Sequence, residues 1–312
     1  MHLRKWDAYR VYLILSGVSS LLFNVIFTLN LVYEAKVIGL TPLQLVLVGT
    51  TLEISCFLFE IPTGVVADLY SRRLSVIIGF FLIGIGFTVE GSLPFFAAVL
   101  LNQVIWGIGS TFTSGALEAW IVDEVGEERM GPVFLRGAQA GQIGGIAGIL
   151  LSVALGSFAL ALPVVIGGVA MVGLAIFLVL VMPETGFKPI PRGERTHWQS
   201  MLSPLRDGIK LVRRRPLLLT FLAIVLVGGL YSEGFDRLWQ AHLLRDLTLP
   251  AIGSLNPVIW FGIIDIVAML LVAGATEVIR RRLNTQNEKA VSRTLIASYA
   301  FLIAGLLVFA LA

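Results

Sequence analysis

Several carboxylate side chains of this chain lie inside long runs of apolar residues, where they could bind protons or a cationic solute. Glu53 and Glu60 share one apolar run and are seven residues apart, which is close to two turns of an α-helix and places them on one helix face. Glu118 lies near the end of another run, and Asp265 lies in the middle of a later one. A charged side chain is costly in an apolar environment and usually faces a cavity or a partner.

Glu233, Asp236 and Arg237 form a further charged group toward the end of an apolar run. Two interpretations of this group stay open, a lining of a substrate cavity or an ion cluster at an interface. For Glu53 the alternative is a structural acid held by hydrogen bonds. Desolvation favours the neutral form of an isolated carboxyl group, whereas water or a cationic solute favours the ionised form. Proton coupling requires such a difference between two states of a protein.

The elements that must position these acids are transmembrane helices. The chain has 312 residues, of which 57% are hydrophobic and 14% are charged, whereas a soluble domain usually has about 25% charged residues. This composition excludes an ordinary soluble enzyme and predicts an all-α integral membrane protein. Nine segments approach the length of roughly 20 apolar residues that a membrane-spanning helix needs. They are 11–33, 42–67, 74–90, 94–122, 137–157, 158–182, 217–240, 254–279 and 294–312.

The distribution of basic residues predicts the orientation of these helices. If the N-terminus is cytoplasmic, 20 of the 23 Lys and Arg residues fall in cytoplasmic segments. The other side then holds only Lys36, Arg237 and Arg245. Because cytoplasmic loops carry an excess of positive charge, the split predicts a protein integral to the plasma (inner) membrane with its N-terminus in the cytoplasm.

One long polar connection divides the chain. Residues 1–182 hold the first six predicted helices, residues 183–216 form the connection, and residues 217–312 hold the other three. The connection begins with Pro183-Glu184-Thr185-Gly186, which ends a helix. Apolar residues then recur at helical spacing between 198 and 212. We expect an amphipathic helix on the cytoplasmic surface there; the alternative is a solvated linker.

The loop between the second and third predicted helices carries charges at a regular spacing. Gly64 is followed by Asp68 after four residues and by Arg72 and Arg73 after four and five more. Asp68 and Arg72 can pair if the helical turn continues. Asp123, at the inner end of the fourth predicted helix, is a second candidate partner for Arg72. The alternative is a positively charged cytoplasmic loop with an unrelated acid.

This spacing recurs later in the chain, with an offset of 209 residues between position 68 and position 277. The matching residues are Ala273, Glu277, Arg281 and Arg282. Internal repeats of this kind are common in membrane transporters. The same offset places the counterpart of Glu53 at position 262, three residues from Asp265, so each half carries one acid at a similar depth.

These residues, with the preceding run Phe59-Glu60-Ile61-Pro62-Thr63-Gly64, resemble the major facilitator superfamily of secondary transporters and its drug-efflux branch. The resemblance implies a twelve-helix bundle of two halves that rock around a mid-membrane site. It also implies that Gly64, Asp68, Arg72 and Arg73 hold the cytoplasmic side closed. Nine helices are present, and the chain stops at Ala312 inside an apolar run, so we expect a truncation at the C-terminus.

The function that this resemblance implies is secondary transport, with proton-coupled efflux of an amphipathic drug-like molecule expected first. An uptake symporter or facilitator of the same fold, and a non-transporting sensor or inactive fragment, remain alternatives. The sequence has no phosphate-binding loop, its three histidines are far apart, and its basic residues are dispersed. We therefore expect no enzyme activity, cofactor, metal or nucleic-acid partner. The expected partners are a small-molecule substrate, protons and the lipid bilayer, and the expected state is a monomer.

Glycines at positions 137, 141, 144, 145 and 148 crowd the fifth predicted helix. Small residues at a helix surface let a neighbouring helix approach closely. We therefore expect this helix to pack tightly against another one.

The predicted orientation is tested by introducing single cysteines at Gly193 and Lys36 in a chain whose Cys56 is replaced by serine. A membrane-impermeant maleimide should label Lys36→Cys in intact cells and Gly193→Cys only in everted vesicles, because the basic residues place these positions on opposite sides. Labelling of both cysteines from one side would contradict the orientation.

Overall fold

A computed structural model describes residues 6–188, 210–213, 215–247, 249–250, 256–282 and 288–311. Its main α-helices are α1 (Ala8–Tyr33), α2 (Pro42–Leu69), α3 (Arg72–Ser92), α4 (Phe96–Thr113), α5 (Ala116–Val125), α6 (Met130–Gly156), α7 (Ala161–Val181), α8 (Pro216–Asp246), α9 (Ile259–Arg282) and α10 (Glu288–Leu311). These ranges contain no β-strand, and the predicted all-α class is confirmed. Most of the amphipathic helix predicted at 198–212 lies outside the described residues.

Nine stretches of the described residues are long and apolar enough to cross a membrane, which confirms the nine predicted segments. Their ends differ from the predicted ones by a few residues, and most at the fifth, which begins at Glu127 rather than at 137. The helices extend past the apolar runs because polar residues at an interface can continue a helical turn. Two helices, α4 and α5, share the fourth stretch, Phe96–Val125.

A break inside this fourth stretch is a feature that the sequence analysis did not predict. Helix α4 ends at Thr113, and Gly115 has a φ of 69° before α5 begins. This left-handed backbone conformation is readily available to glycine and costly for other residues. The break turns the backbone in the region just before Glu118, which lies in the first turn of α5.

The end of α1 is also irregular. Its last residues continue into a π-helical turn, Glu34–Ile38, which Gly39 closes with a φ of 75°. Helix α2 then starts with a capping box in which the Thr41 and Gln44 side chains each bond the other's backbone N–H. Single π-helical turns are frequent at functional sites, and this one carries a buried acid, Glu34.

The core of the bundle lies between α1, α3, α5, α6 and α7. Helix α1 packs against α6 and α7, α3 packs against α4 and α7, and α2 packs against α4. Fully buried apolar side chains fill the space between them, among them Leu15, Ile26, Phe87, Trp120 and Met171. Burial of such side chains contributes about 1.5–3 kcal/mol each in a soluble protein; between membrane helices, packing supplies much of the stability instead.

Helix α6 confirms the tight packing that its glycines predicted. A Cβ atom on Gly144 would lie 2.0 Å from the carbonyl oxygen of Gly17 in α1. A Cβ atom on Gly148 would lie 2.3 Å from the carbonyl oxygen of Leu21. Neither backbone can yield without moving a whole helix, so these positions fix the distance between α1 and α6.

The described chain forms two compact units, Met1–His242 and Leu243–Ala312. The first unit includes most of α8, whose Gln240 donates a hydrogen bond to the Thr28 carbonyl oxygen of α1 at 3.3 Å. The second unit contains α9 and α10, whose apolar side chains are mostly exposed. The division at 182 and 216 that the sequence predicts stays a prediction about the organisation of the fold.

Replacing Gly144 by alanine should destabilise the protein, since the added methyl group meets backbone atoms of α1. Overpacking of this kind costs about 1–3 kcal/mol. Gly141→Ala is the matched control, because its Cβ would lie 3.7 Å from the nearest atom, the Ser16 carbonyl oxygen. Thermal midpoints in detergent should fall for Gly144→Ala and stay near the wild-type value for Gly141→Ala. Equal midpoints for both variants would contradict the packing argument.

Candidate functional site

Charged residues meet at one end of the bundle, which we call the α2–α3 end. The Arg72 side chain at the start of α3 places Nη1 2.6 Å from Oδ2 of Asp123 in α5. The same nitrogen donates a hydrogen bond to the Ala119 carbonyl oxygen at 2.7 Å. The two charged side chains are 21% and 25% exposed, so the pair is largely shielded from water. The structure thus brings Arg72 and Asp123 together and ties α3 to α5.

The residues after α7 close over this cluster. Glu184 accepts hydrogen bonds from the Ser71 hydroxyl at 2.7 Å and from the Arg73 backbone N–H at 3.0 Å. It therefore satisfies donors at the start of α3, where a negative charge is favourable. The Arg73 guanidinium donates to the Val179 carbonyl oxygen near the end of α7 at 2.6 Å. We call residues 183–187 the strap.

The strap is also bound to α5. Glu124 accepts hydrogen bonds from the Thr185 hydroxyl at 2.7 Å and from the Gly186 backbone N–H at 2.6 Å. The Trp120 indole donates to the Pro183 carbonyl oxygen at 2.7 Å. The sequence analysis missed Glu124 and Glu184 and used the Pro-Glu-Thr-Gly run only as the end of a helix. An acid inside a turn that follows a membrane helix was the available signal.

Gly64 and Asp68, the other two residues of the motif expected to hold the cytoplasmic side closed, lie in a different backbone environment from the expected one. Helix α2 ends at Leu69, and Ser71 takes an extended backbone conformation before α3 starts. The helical turn between Asp68 and Arg72 is therefore interrupted, and the four-residue helical spacing does not apply. Gly64 lies before this turn, and apart from its chain neighbours and the backbone of its own helix no described atom comes within 4 Å of a Cβ built there.

A cavity of about 510 Å³ opens between α1, α3 and the α4–α5 break. Its lining combines hydroxyl groups, aromatic rings and one acid. The lining residues are Ser19, Phe23, Phe80, Thr113, Ser114, Gly115, Leu117 and Glu118. Glu118 is exposed, so its carboxylate is available to a solute in the cavity.

The predicted acids of the second helix lie on the exposed side of α2. Glu53 and Glu60 are both exposed, in keeping with one shared helix face. Oε1 of Glu60 accepts a hydrogen bond from the Ser114 hydroxyl at 3.2 Å. Because Ser114 also lines the cavity, Glu60 lies beside the cavity rim.

The charged group of the seventh predicted helix lies on α8. Nε of Arg237 is 3.2 Å from Oε1 of Glu233. These two side chains pack on Gly49 of α2, where a Cβ atom would lie 1.9 Å from Glu233 Oε1. Asp236 is exposed on the same helix, and Asp265 lies half-buried on α9 in the second compact unit.

Two completely buried acids were missed by the sequence analysis. Glu34 and Glu90 lie at the opposite end of the bundle from the strap, which we call the α3–α4 end, and each has a relative exposure of 0%. Both stand at the edge of an apolar run, where an acid normally faces water. The available signal was an asparagine inside each of two neighbouring runs, Asn30 and Asn102.

The model of the Major Facilitator Superfamily matches residues 12–312. The chain belongs to this superfamily. Over 206 residues it is 26% identical to YxaM of Bacillus subtilis (strain 168), an uncharacterized MFS-type transporter. That match covers 64% of this chain and 50% of YxaM, so the chain spans about half the length of the curated relative.

Solved transporters share the fold. Two crystal structures of the nucleoside transporter NupG, the first of them of a mutant, have TM-scores of 0.69 and 0.65 and identities of 17% and 18%. Each match covers 88% of this chain, and 69% and 68% of the respective NupG chains. The POT family transporter PepTSo has a TM-score of 0.58 at 12% identity, with 90% and 72% of the two chains covered.

The Arg72–Asp123 pair should contribute measurably to stability. Asp123→Asn removes the charge that faces a shielded guanidinium, and a stranded polar group of this kind costs about 1–3 kcal/mol. The control is Glu277→Gln, which breaks the exposed Arg281–Glu277 pair, whose side chains are 73% and 41% exposed. Exposed pairs contribute about 0–1 kcal/mol. The thermal midpoint should fall for Asp123→Asn and change little for Glu277→Gln; the reverse order would refute the assignment.

Proposed function

We propose that the protein is a secondary active transporter of the plasma membrane that exports an amphipathic, cationic, drug-like molecule in exchange for protons. The observation that carries this proposal is the cavity beside the α4–α5 break. Its volume of about 510 Å³ lies within the range of roughly 300–1,000 Å³ that is typical of small-molecule sites.

The chemistry of the cavity lining suits an amphipathic cation. Glu118 supplies a negative charge, and the Thr113 and Ser114 hydroxyl oxygens supply hydrogen-bond acceptors beside it. Phe23 and Phe80 supply aromatic faces, which attract cations as well as apolar groups. One end of a solute can therefore bind the carboxylate while its apolar body contacts the rings.

An aromatic cluster extends the apolar wall beyond the cavity. Phe23 stacks on Phe27 with ring centroids 5.8 Å apart. Phe27 in turn contacts Phe87 at 5.3 Å and Trp106 at 5.0 Å. These rings come from α1, α3 and α4, and Phe87 among them is fully buried, so they form an apolar surface behind the cavity wall that three helices share. Such a surface recognises shape and polarisability more than a fixed hydrogen-bond pattern, which supports a drug-like substrate class.

For the coupling of export to protons we keep Glu53 as the first candidate and Asp265 as the second. Glu53 lies near the middle of α2 and is exposed, so it can exchange protons with water in an open state. Glu60 lies two turns further along the same helix, beside the cavity rim at Ser114. A proton could pass between these two acids while a cation occupies the cavity.

We also propose that the α2–α3 end is cytoplasmic and that its charged cluster closes this side of the transporter. The support is the set of contacts from Arg72 to Asp123 and from Glu184 to the start of α3. Each joins elements that are far apart in the chain. Opening of this end would have to break both sets of contacts at once, so the closed and open states would be separate conformations.

An uptake symporter or facilitator is the competing function. Its support is the fold likeness to NupG, described as a nucleoside transporter, and to PepTSo, at identities that establish the fold alone. Export and uptake differ in direction, and the carboxylate of Glu118 in the cavity favours a cation over a neutral nucleoside. A sensor that binds a ligand without transporting it is the third possibility.

Ethidium, a flat aromatic cation, tests the export proposal. Everted vesicles containing the wild-type protein should accumulate ethidium when a proton gradient is imposed, with the vesicle interior acidic. Glu118→Gln should lower this accumulation at least tenfold, because a lost charge-assisted contact is worth about 1.5–3 kcal/mol. Glu128→Gln, an exposed acid of the loop after α5, is the control with the same change in charge and should transport like wild type.

The outcomes separate the three functions. Accumulation in right-side-out vesicles under the opposite gradient would indicate uptake. Ethidium binding without flux would indicate a sensor. Equal accumulation by Glu118→Gln and Glu128→Gln would show that the cavity is not the ethidium site.

A further inference from the structure

Two glutamates that the proposed transport cycle does not use are completely buried at the α3–α4 end. Glu34 lies in the π-helical turn after α1, and Glu90 lies in the last turn of α3. Each has a relative exposure of 0%. A carboxyl group with no access to water is tolerated only where hydrogen-bond donors, a counter-charge or a bound proton satisfy it.

Each carboxyl group receives one hydrogen bond from a neutral amide. The Asn30 side chain donates to Oε1 of Glu34 at 2.9 Å. The Asn102 side chain of α4 donates to Oε2 of Glu90. Gly86 makes room for this second contact, since a Cβ atom there would lie 2.2 Å from Oδ1 of Asn102. The amides therefore occupy one oxygen of each acid and leave the other oxygen to be accounted for.

The two remaining oxygens, Oε2 of Glu34 and Oε1 of Glu90, are buried and accept no hydrogen bond from the described residues. The Tyr33 hydroxyl, one residue before Glu34, donates to the main-chain oxygen of Glu90 at 2.9 Å, which brings the two buried acids together between α1 and α3. Two ionised carboxylates cannot bond each other, because neither has a hydrogen to donate. One proton between them turns the pair into a donor and an acceptor and resolves both unsatisfied oxygens at once.

The titratable side chains around the pair come from two helices, α1 and α8. Tyr33 of α1 donates its hydroxyl hydrogen to the main-chain oxygen of Glu90 at 2.9 Å. Arg237 of α8 is largely shielded, with a side chain that is 13% exposed and pairs with Glu233. Gln240, three residues further along α8, bonds the Thr28 carbonyl oxygen and places this part of α8 beside α1. Helix α4 contributes the neutral Asn102, and α2 contributes Gly49, on which the Glu233–Arg237 pair packs.

We infer that Glu34 and Glu90 form a proton-binding site that holds one shared proton, with Arg237 of α8 as its counter-charge. The bound proton forms an O–H···O hydrogen bond between the two side chains. Its release leaves two like charges side by side with one donor each, and Arg237 is the cation placed to offset them. Proton occupancy is therefore linked to the packing of α8 against α1 and α3.

This inference goes beyond the proposed function, because the site can be demonstrated without any transport. In the folded protein the pair keeps a proton that a carboxyl group of the unfolded chain loses to water. Over the pH range in which the pair titrates, the unfolded state thus binds fewer protons than the folded state. The free energy of unfolding must therefore decrease as the pH rises through this range. A glutamine at either position supplies an N–H donor at every pH and removes this dependence.

The test measures the thermal midpoint of the purified protein in detergent from mildly acidic to alkaline pH. The wild-type midpoint should fall as the pH rises, and the slope for Glu90→Gln and for Glu34→Gln should be at least twofold shallower. Glu127→Gln, an exposed loop acid, is the matched control and should keep the wild-type slope. Equal slopes in the wild type and in both buried-site variants would overturn the inference.

Infrared spectroscopy supplies a second measurement, and its decisive outcome is obtained from the wild-type protein alone. The wild-type protein at neutral pH should show the carbonyl stretch of a protonated carboxyl group, and this band should shift in D₂O and weaken in either glutamine variant. Absence of the band in the wild type would also overturn the inference. A protein that shows the band but never moves ethidium would refute the proposed export and leave the proton site standing.

Discussion

Inside an apolar helix bundle a polar side chain cannot reach water, so each one must find its hydrogen-bond partner within the protein. Several hydroxyl groups of α2 meet this constraint locally: Thr50, Thr51 and Ser55 donate to carbonyl oxygens one turn earlier in their own helix. Larger polar groups need partners on other helices. The Gln240 amide of α8, for example, bonds a main-chain oxygen of α1. The positions of the polar groups therefore determine which helices must stay in contact.

The two ends of the bundle satisfy this constraint in different ways. At the α2–α3 end, charged partners lie near the surface and join elements through the strap, as Glu184 does at the start of α3. At the α3–α4 end, the carboxyl groups of Glu34 and Glu90 are fully buried, and the donors that bond them are neutral amides. The cavity with Glu118 lies beside the break between α4 and α5. Near the surface, water can replace a broken contact. The buried pair has no such access to water, so a change in its charge requires the surrounding protein groups to adjust.

The sequence predicts the membrane-spanning segments well, because the length of an apolar run is enough to identify a span. It does not predict the break at Gly115, since the residues on both sides are apolar and a continuous helix satisfies the same pattern. It also places Arg72 near Asp123 only as one of two options, because the choice depends on where α2 ends. Contacts such as Glu184 with Arg73, which are 111 residues apart, depend on the packed fold and not on spacing along the chain.

Glu34 and Glu90 escaped notice for a related reason. An acid at the edge of an apolar run looks interfacial, and Lys36 two residues after Glu34 strengthens that impression. The π-helical turn changes the outcome, because Glu34 within it is buried while Lys36 stays exposed. The asparagines were the better signal: an amide in an apolar helix is costly unless it bonds a partner on its own or a neighbouring helix.

The neutral donors also determine what the buried pair can do. A cation in direct contact with Glu34 and Glu90 would hold both groups ionised and fix their charge. Amide donors bond a protonated and an ionised carboxyl group alike, so Asn30 and Asn102 leave the charge free to change. The counter-charge that we infer, Arg237, belongs to a different helix and already pairs with Glu233. We expect a change in charge at the pair to change its attraction for Arg237. In this arrangement, the gain or loss of a proton at the pair changes how strongly α8 is held against α1 and α3.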